Sequence, residues 1–147
     1  MTIGYFIQEF WLPMKVVLAL PPFDLSQSYG TGGITKRGIL PPLGVGYLAA
    51  AAEAAGHATA FVDATLTGLD VTACVDAVLA ENPDVVGLSV LTKLAPSAYK
   101  VANEIKRRVP SLPIIMGGPH VTSFPDLILK ECPGIDILVP GEGELPL

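Results

Sequence analysis

The chain has few basic residues. Its 147 residues include 9 lysines and arginines against 14 aspartates and glutamates, which gives a formal net charge of −5. Nucleic-acid binding depends on clustered cations that neutralise phosphates. The composition therefore argues against a nucleic-acid partner.

Cysteine and histidine are equally scarce, with two of each. Cys74 and Cys132 lie far apart in the sequence and lack the close spacing of a metal-chelating pair. Isolated cysteines of this kind are typical of reduced thiols in the cytoplasm. We therefore expect a cytoplasmic protein without a disulfide.

The sequence has no apolar run long enough to cross a bilayer. Residues 1–13 are apolar and aromatic, but they are too short for a membrane span, lack a basic start and contain Glu9. We interpret residues 1–13 as an N-terminal extension and residues 14–147 as one globular domain. No contact with a membrane is expected.

Short apolar segments rich in β-branched residues alternate with helical patterns along the rest of the chain. Alternation of this kind predicts an α/β fold with a parallel sheet and right-handed crossovers. Five strands fit the flavodoxin-like (Rossmann-like) order 2-1-3-4-5, with helices on both faces and the ligand at the carboxyl edge of the strands. The predicted strands are 15–20, 58–63, 84–90, 113–116 and 136–139, and the predicted helices are 43–55, 71–81, 97–109 and 122–131.

The connection between the first strand and the first helix is unusually long. It has about twenty residues, whereas such connections usually have about 2–6. Because this connection lies at the predicted ligand edge, we expect it to be a functional loop.

The segment Gly44-Val45-Gly46-Tyr47-Leu48-Ala49 matches the dinucleotide fingerprint G-x-G-x-x-A, and Asp63 ends the next strand. That fingerprint requires its glycines in a tight turn directly after the first strand. Here the long connection intervenes, so an FMN- or NAD-binding flavodoxin-like oxidoreductase remains only an alternative. A signalling receiver would need clustered acids after the first strand, where only Asp24 lies.

A second group of residues lies at the predicted ligand edge. Ser89 brings a small hydroxyl group to the end of the third predicted strand. Gly117 and Gly118, which have no side chains, follow the fourth. The hydroxyl can hydrogen-bond a ligand, and paired glycines leave room for a bulky group. The candidate binding residues at this edge are Leu43, Gly44, Ser89, Leu91, Thr92, Gly117, Gly118, Pro119, His120, Gly141 and Glu142.

These motifs, in this order along residues 14–147, resemble the N-terminal cobalamin-binding domain of radical S-adenosylmethionine enzymes. That family includes the anaerobic cyclase of magnesium-protoporphyrin monomethyl ester and many methyltransferases. The resemblance implies that cobalamin binds at the candidate residues, with its nucleotide tail inserted beside the sheet. A free-standing corrinoid carrier is the alternative within this resemblance.

The same resemblance implies what lies beyond the domain. The segment 141–144, Gly-Glu-Gly-Glu, leads in the family into a barrel that binds a [4Fe-4S] cluster and S-adenosylmethionine. This chain supplies no cysteine triplet for such a cluster, so we expect it to be a non-catalytic part of a radical S-adenosylmethionine oxidoreductase or methyltransferase. The barrel in the same full-length chain is then its partner.

Many other cobalamin domains carry D-x-H-x-x-G after the first strand, and the histidine of that motif binds cobalt. Residues 21–42 contain no histidine, and the similar segment 63–68 has Thr65 in its place and follows the second strand. The resemblance therefore implies base-off binding without a protein histidine ligand. His120 lies at the ligand edge and either contacts the cofactor or begins the next helix, whereas His57 is expected on the surface of the opposite edge.

Overall fold

The computed structural model describes residues 12–23 and 42–143. Within them, five parallel strands form one sheet in the order β2-β1-β3-β4-β5. This arrangement confirms the predicted flavodoxin-like fold. The strands are β1 (Lys15–Leu20), β2 (Ala58–Asp63), β3 (Val85–Ser89), β4 (Ile114–Gly117) and β5 (Ile137–Val139).

Helices connect the strands, and three of the four predicted helices are present. A short 3-10 turn, Thr92–Leu94, leads directly into the helix after β3, which therefore begins earlier than predicted. The α-helices are α1 (Leu43–Ala54), α2 (Ala64–Thr67), α3 (Val71–Ala80), α4 (Ala95–Arg108), α5 (Pro119–Ser123) and α6 (Pro125–Glu131).

The single helix predicted over 122–131 is wrong. The segment forms two short helices, α5 and α6, separated by Phe124 with φ −138° and ψ 46°. A residue that precedes proline is disfavoured in the helical region, because the proline ring contacts its backbone. Pro125 therefore ends α5 and begins α6.

The two faces of the sheet carry different cores. Alternate residues of a strand point to opposite faces, so Val16 and Leu18 pack with Val45 and Ala52 of α1 on one face. The other face carries the larger core, to which α2 through α6 contribute. We refer to the first as the α1 face.

Asp63 has a local structural role. Its carboxylate accepts a hydrogen bond from Leu66 N at 2.8 Å and caps α2, while Thr67 Oγ1 donates to the Asp63 carbonyl. Gly68 then ends α2 in the left-handed conformation with φ +71°. The segment 63–68 is therefore a short capped helical turn that follows β2.

Charged side chains on the outer surface of α4 form an ionic network. Arg107 Nε and Arg108 Nε donate to Glu104 carboxylate oxygens at 2.8 and 2.7 Å, and Arg108 also pairs with Asp76 of α3. The hydrogen bonds from Arg107 and then from Arg108 lower the pKa of Glu104 to about 2. The network joins the middle of α3 to the C-terminal end of α4.

Cys74 and Cys132 are buried free thiols. Desolvation by burial raises the pKa of Cys74 to about 11 and also raises that of Cys132. In the part of the chain that the structure describes, no helix has the length and apolar character needed to cross a membrane.

Candidate functional site

A cavity of about 500 Å³ opens at the carboxyl edge of the sheet on the α1 face. Its wall combines β1, β3, β4 and β5 with the start of α1 and the turns that follow β4 and β5. The side chains near the mouth include hydroxyls and one carboxylate, and those further in are apolar. The lining residues are Leu18, Gly44, Val45, Leu48, Gly87, Leu88, Ser89, Ile115, Gly117, Gly118, Pro119, Thr122, Ser123, Val139, Gly141, Glu142 and Gly143.

Strand register explains why this part of the sheet is hollow. Gly87 of β3 lies between Leu18 and Ile115, and one step towards the edge Ser89 lies beside Gly117. These positions all lie on the α1 face, since they are separated by two residues along each strand. Small residues at three of the five positions leave space between the sheet and α1.

Gly117 and Gly118 shape the cavity in different ways. A Cβ on Gly117 would make only ordinary contact with Val139, at 3.5 Å from its carbonyl oxygen, so Gly117 leaves open space in the wall. A Cβ on Gly118 would instead lie 2.9 Å from both the N and the O of Val90. The expectation that both glycines make room for a ligand is thus corrected for Gly118, whose missing side chain permits close backbone contact.

The turn after β4 is fixed by backbone hydrogen bonds to the end of β3. Val90 N donates to the Gly117 carbonyl at 2.9 Å, and His120 N donates to the Val90 carbonyl at 3.0 Å. Gly118 has φ +96° and ψ −179°, a conformation that favours glycine. The geometry holds the mouth of the cavity in one arrangement.

A further hydrogen bond joins α5 to the turn after β5. Gly141 N donates to Thr122 Oγ1 at 2.9 Å, and Gly141 has φ +79°. This contact brings Glu142, the charged residue of the lining, to the same rim as Thr122 and Ser123.

Most of the predicted site residues lie together on the cavity wall. Leu43, Leu91 and Thr92 lie outside the lining, and each is exposed. His120 also lies outside it. The predicted residues on the wall are Gly44, Ser89, Gly117, Gly118, Pro119, Gly141 and Glu142.

Sequence reasoning missed the inner wall, which comprises Leu18, Val45, Leu48, Gly87 and Ile115. The two-residue alternation that places Gly87 on the same face as Ser89 was a usable signal for part of it. A Cβ on Gly44 or Gly46 has no described atom within 4 Å, and Gly44 lies on the cavity wall.

The His120 ring lies in the protein interior, with the residue only 4% exposed. Its Nε2 shares a hydrogen bond of 2.9 Å with the Tyr99 hydroxyl, and Phe124 packs against it with a ring separation of 5.5 Å. Among the described residues, none hydrogen-bonds the buried Nδ1. Burial, and then the charges of Glu131 and Cys132, raise the pKa of Tyr99.

His57 is half-buried rather than freely exposed. Its Nδ1 accepts a hydrogen bond from Met14 N at 3.2 Å, at the amino edge of the sheet. This position lies opposite the cavity mouth, as the sequence predicted.

Two side-chain hydroxyl groups hydrogen-bond the backbone directly after β1. Thr65 Oγ1 donates to the Pro21 carbonyl at 2.8 Å, and Ser97 Oγ donates to the Pro22 carbonyl at 2.6 Å. Lys93 Nζ lies 4.7 Å from the centroid of the Phe23 ring. The long connection predicted to be functional lies mostly outside the described residues, and its first residues are anchored to α2 and α4 at the carboxyl edge of the sheet.

No cluster of three or more metal-ligating side chains occurs within residues 12–23 and 42–143. The described part of the cavity wall contains no histidine or cysteine. The site therefore offers hydroxyls, backbone groups and apolar surface, a combination suited to binding an organic ligand.

Comparison with known proteins identifies the ligand class. A family model described as the B12 binding domain matches residues 31–147. The chain is 37% identical over 134 residues to an uncharacterized methyltransferase of Pyrococcus horikoshii, covering 90% of this chain and 28% of that protein. It is 34% identical over 118 residues to the anaerobic magnesium-protoporphyrin IX monomethyl ester cyclase of Rubrivivax gelatinosus, covering 80% and 21%. The chain thus spans about a quarter of the length of these relatives.

Solved structures share the fold. The radical S-adenosylmethionine methyltransferase TsrM from Kitasatospora setae, with cobalamin and a [4Fe-4S] cluster bound, matches with a TM-score of 0.70 at 22% identity, over 91% of this chain and 25% of that one. The cobalamin-dependent radical enzyme OxsB with aqua-cobalamin bound matches with a TM-score of 0.69 at 17% identity, over 90% and 17%.

Proposed function

Because the chain belongs to the B12-binding domain family, we propose that it is the cobalamin-binding module of a larger radical S-adenosylmethionine methyltransferase or related oxidoreductase. Residues 14–147 form the module, and residues 1–13 precede it. The catalytic barrel, with its [4Fe-4S] cluster and S-adenosylmethionine, belongs to the longer protein, which we place in the cytoplasm. The relatives and their length relative to this chain support that division.

The cavity fits the nucleotide tail of cobalamin. Its volume of about 500 Å³ lies within the range of about 300–1,000 Å³ that is usual for small-molecule sites. The observation that carries the proposal is the series of small residues Gly87, Ser89 and Gly117, which lines the cavity on the α1 face of the sheet. A flat heterocycle can lie against such a surface, because Gly117 has no side chain and that of Ser89 is short.

The rim residues hold the polar parts of the cofactor in this proposal. Ser89 can donate a hydrogen bond to the base or to the phosphate, and the hydroxyl of Ser123 lies on the same rim. The Glu142 carboxylate can accept hydrogen bonds from amides at the edge of the corrin ring. Bound cobalamin supplies a cobalt centre able to carry a methyl group, while this chain supplies binding and orientation.

We further propose that the cofactor binds base-off and that no histidine of this chain replaces the base. Insertion of the base into the cavity separates it from cobalt. The described lining contains no imidazole, and the His120 ring is engaged by Tyr99 and Phe124 in the interior. These contacts support a lower cobalt face without a protein nitrogen ligand.

Retention of the corrinoid after gel filtration tests the binding proposal. The chain is incubated with hydroxocobalamin, desalted and examined by absorption spectroscopy, and we expect retained corrin bands. The Gly117→Val variant should bind at least about tenfold more weakly, because its side chain projects into the cavity while its Cβ tolerates the Val139 contact. Ala58→Val adds a valine side chain at an exposed position of β2, away from the cavity, and is the control variant. Absence of retained corrin in the unmodified chain would refute the proposal.

Electron paramagnetic resonance of the cobalt(II) form tests the base-off proposal. We expect no nitrogen superhyperfine splitting. Splitting that disappears in His120→Ala would reveal histidine ligation. Splitting that persists in that variant would show that the base of the cofactor remains on cobalt, and either result would contradict the proposed mode.

A further inference from the structure

The inner end of the cavity, which we call the floor, is formed by Leu18, Gly87 and Ile115. These residues are aligned across β1, β3 and β4 and lie two positions before the edge row of Ser89 and Gly117. Two residues of a strand span about 7 Å. The floor therefore lies about one ring width below the mouth.

Among the described residues, the floor offers almost no hydrogen-bonding groups. The polar side chains of the lining are Ser89, Thr122, Ser123 and Glu142, and each lies at or beyond the carboxyl end of a strand. Gly87 lies in a strand paired on both sides, so its backbone groups are engaged by the sheet. A group that reaches the floor meets aliphatic carbon and a backbone whose donors and acceptors are already used.

We propose that this floor makes the site selective among corrinoids according to their lower base, favouring an apolar benzimidazole over a purine. The inference rests on the proposed function. A dimethylbenzimidazole presents two methyl groups at the end far from the ribose. An adenine presents an exocyclic amine and ring nitrogens there, and these lose water without gaining partners at the floor.

The close packing of Leu18 against Gly87 is part of the discrimination. A Cβ at Gly87 would lie 2.8 Å from Leu18 Cδ2, so this glycine and this leucine fit together closely in the floor. The surface of the floor is therefore closely packed and rigid. The backbone of β3 cannot rotate to offer a hydrogen bond to the ligand, because the neighbouring strands hold it. We expect the benzimidazole form to bind at least about tenfold more tightly than the adenine form, which corresponds to about 1.4 kcal/mol.

Equilibrium dialysis of the 147-residue chain against two cobamides tests the proposal. The probes are hydroxocobalamin and the hydroxo form of the adenine-containing cobamide, which differ only in the lower base. Two variants of the floor are compared, Ile115→Thr and Ile115→Val. Threonine and valine have nearly the same shape, so the pair isolates the effect of one hydroxyl at the floor.

The expected result is a preference for the benzimidazole form that Ile115→Val keeps and Ile115→Thr reduces by at least about threefold. Equal affinities of the unmodified chain for both cobamides would overturn the inference while leaving the proposed function intact. A preference that is the same in both variants would also overturn it, because the floor would then not be its source. If neither cobamide bound, that result would count against the proposed function itself.

Discussion

Gly118→Ala should destabilise the fold strongly for a substitution that adds one methyl group. Gly118 has φ +96° and ψ −179°, a conformation that costs a residue other than glycine about 1–3 kcal/mol. The new Cβ would also lie 2.9 Å from both the N and the O of Val90, which are backbone atoms of the sheet edge. Movement of Val90 weakens its hydrogen bond with His120 N, worth about 0.5–1.5 kcal/mol. We therefore expect a total loss of about 2–4 kcal/mol.

Urea unfolding followed by circular dichroism measures this loss, with Gly56→Ala as the matched control. Gly56 has a similar φ of +93°, but a Cβ there meets no described atom within 4 Å. The control therefore contains the backbone strain without the collision. If Gly118→Ala lost no more stability than Gly56→Ala, the close approach to Val90 would not be a determinant of the fold.

Three other predictions concern interior and surface groups. Tyr99→Phe leaves His120 Nε2 without its hydrogen bond and should lower the free energy of unfolding by about 1–3 kcal/mol, measured by urea titration; an unchanged value would refute it. Glu104→Gln should destabilise at pH 7 but progressively less as pH falls from about 4.5 to 2, because the pKa of Glu104 is lowered to about 2 in the folded state and its stabilising charge is lost over that interval. A difference that stayed constant with pH would contradict this. Cys74 and Cys132 should react with a thiol reagent much more slowly in the native chain than in urea, since both are buried, and equal rates would show that they are accessible.

The sheet could be predicted from the sequence because its signals are local. Short β-branched segments mark strands, and proline or glycine marks the ends of helices. Handed crossovers then restrict the strand order to a few possibilities. The split between α5 and α6 was also encoded locally, in Pro125, but the apolar pattern over 122–131 hides the break.

The candidate site was predictable at its rim and not at its floor. Ser89 and Gly117 are recognisable because each ends a strand, where parallel sheets bind ligands. Leu18 and Ile115 look like ordinary core residues, and only the register between strands shows that they flank a glycine. The role of Gly118 depends on a contact with Val90, far away in sequence, that no local pattern contains. Likewise, the sequence places His120 near the edge but cannot show that its ring faces Tyr99.

The topology itself accounts for the position of the cavity. The step from β1 to β2 runs in one direction along the sheet, whereas the steps from β2 to β3, β3 to β4 and β4 to β5 all run in the other. Since right-handed crossovers in opposite directions lie on opposite faces, α1 lies alone on its face among the described helices, and the others cover the second core. A single helix near β1 and β2 leaves the sheet beside it uncovered at β3 and β4. Small residues at Gly87, Ser89 and Gly117 deepen that uncovered region into a cavity, so strand order and side-chain size act together to produce the site.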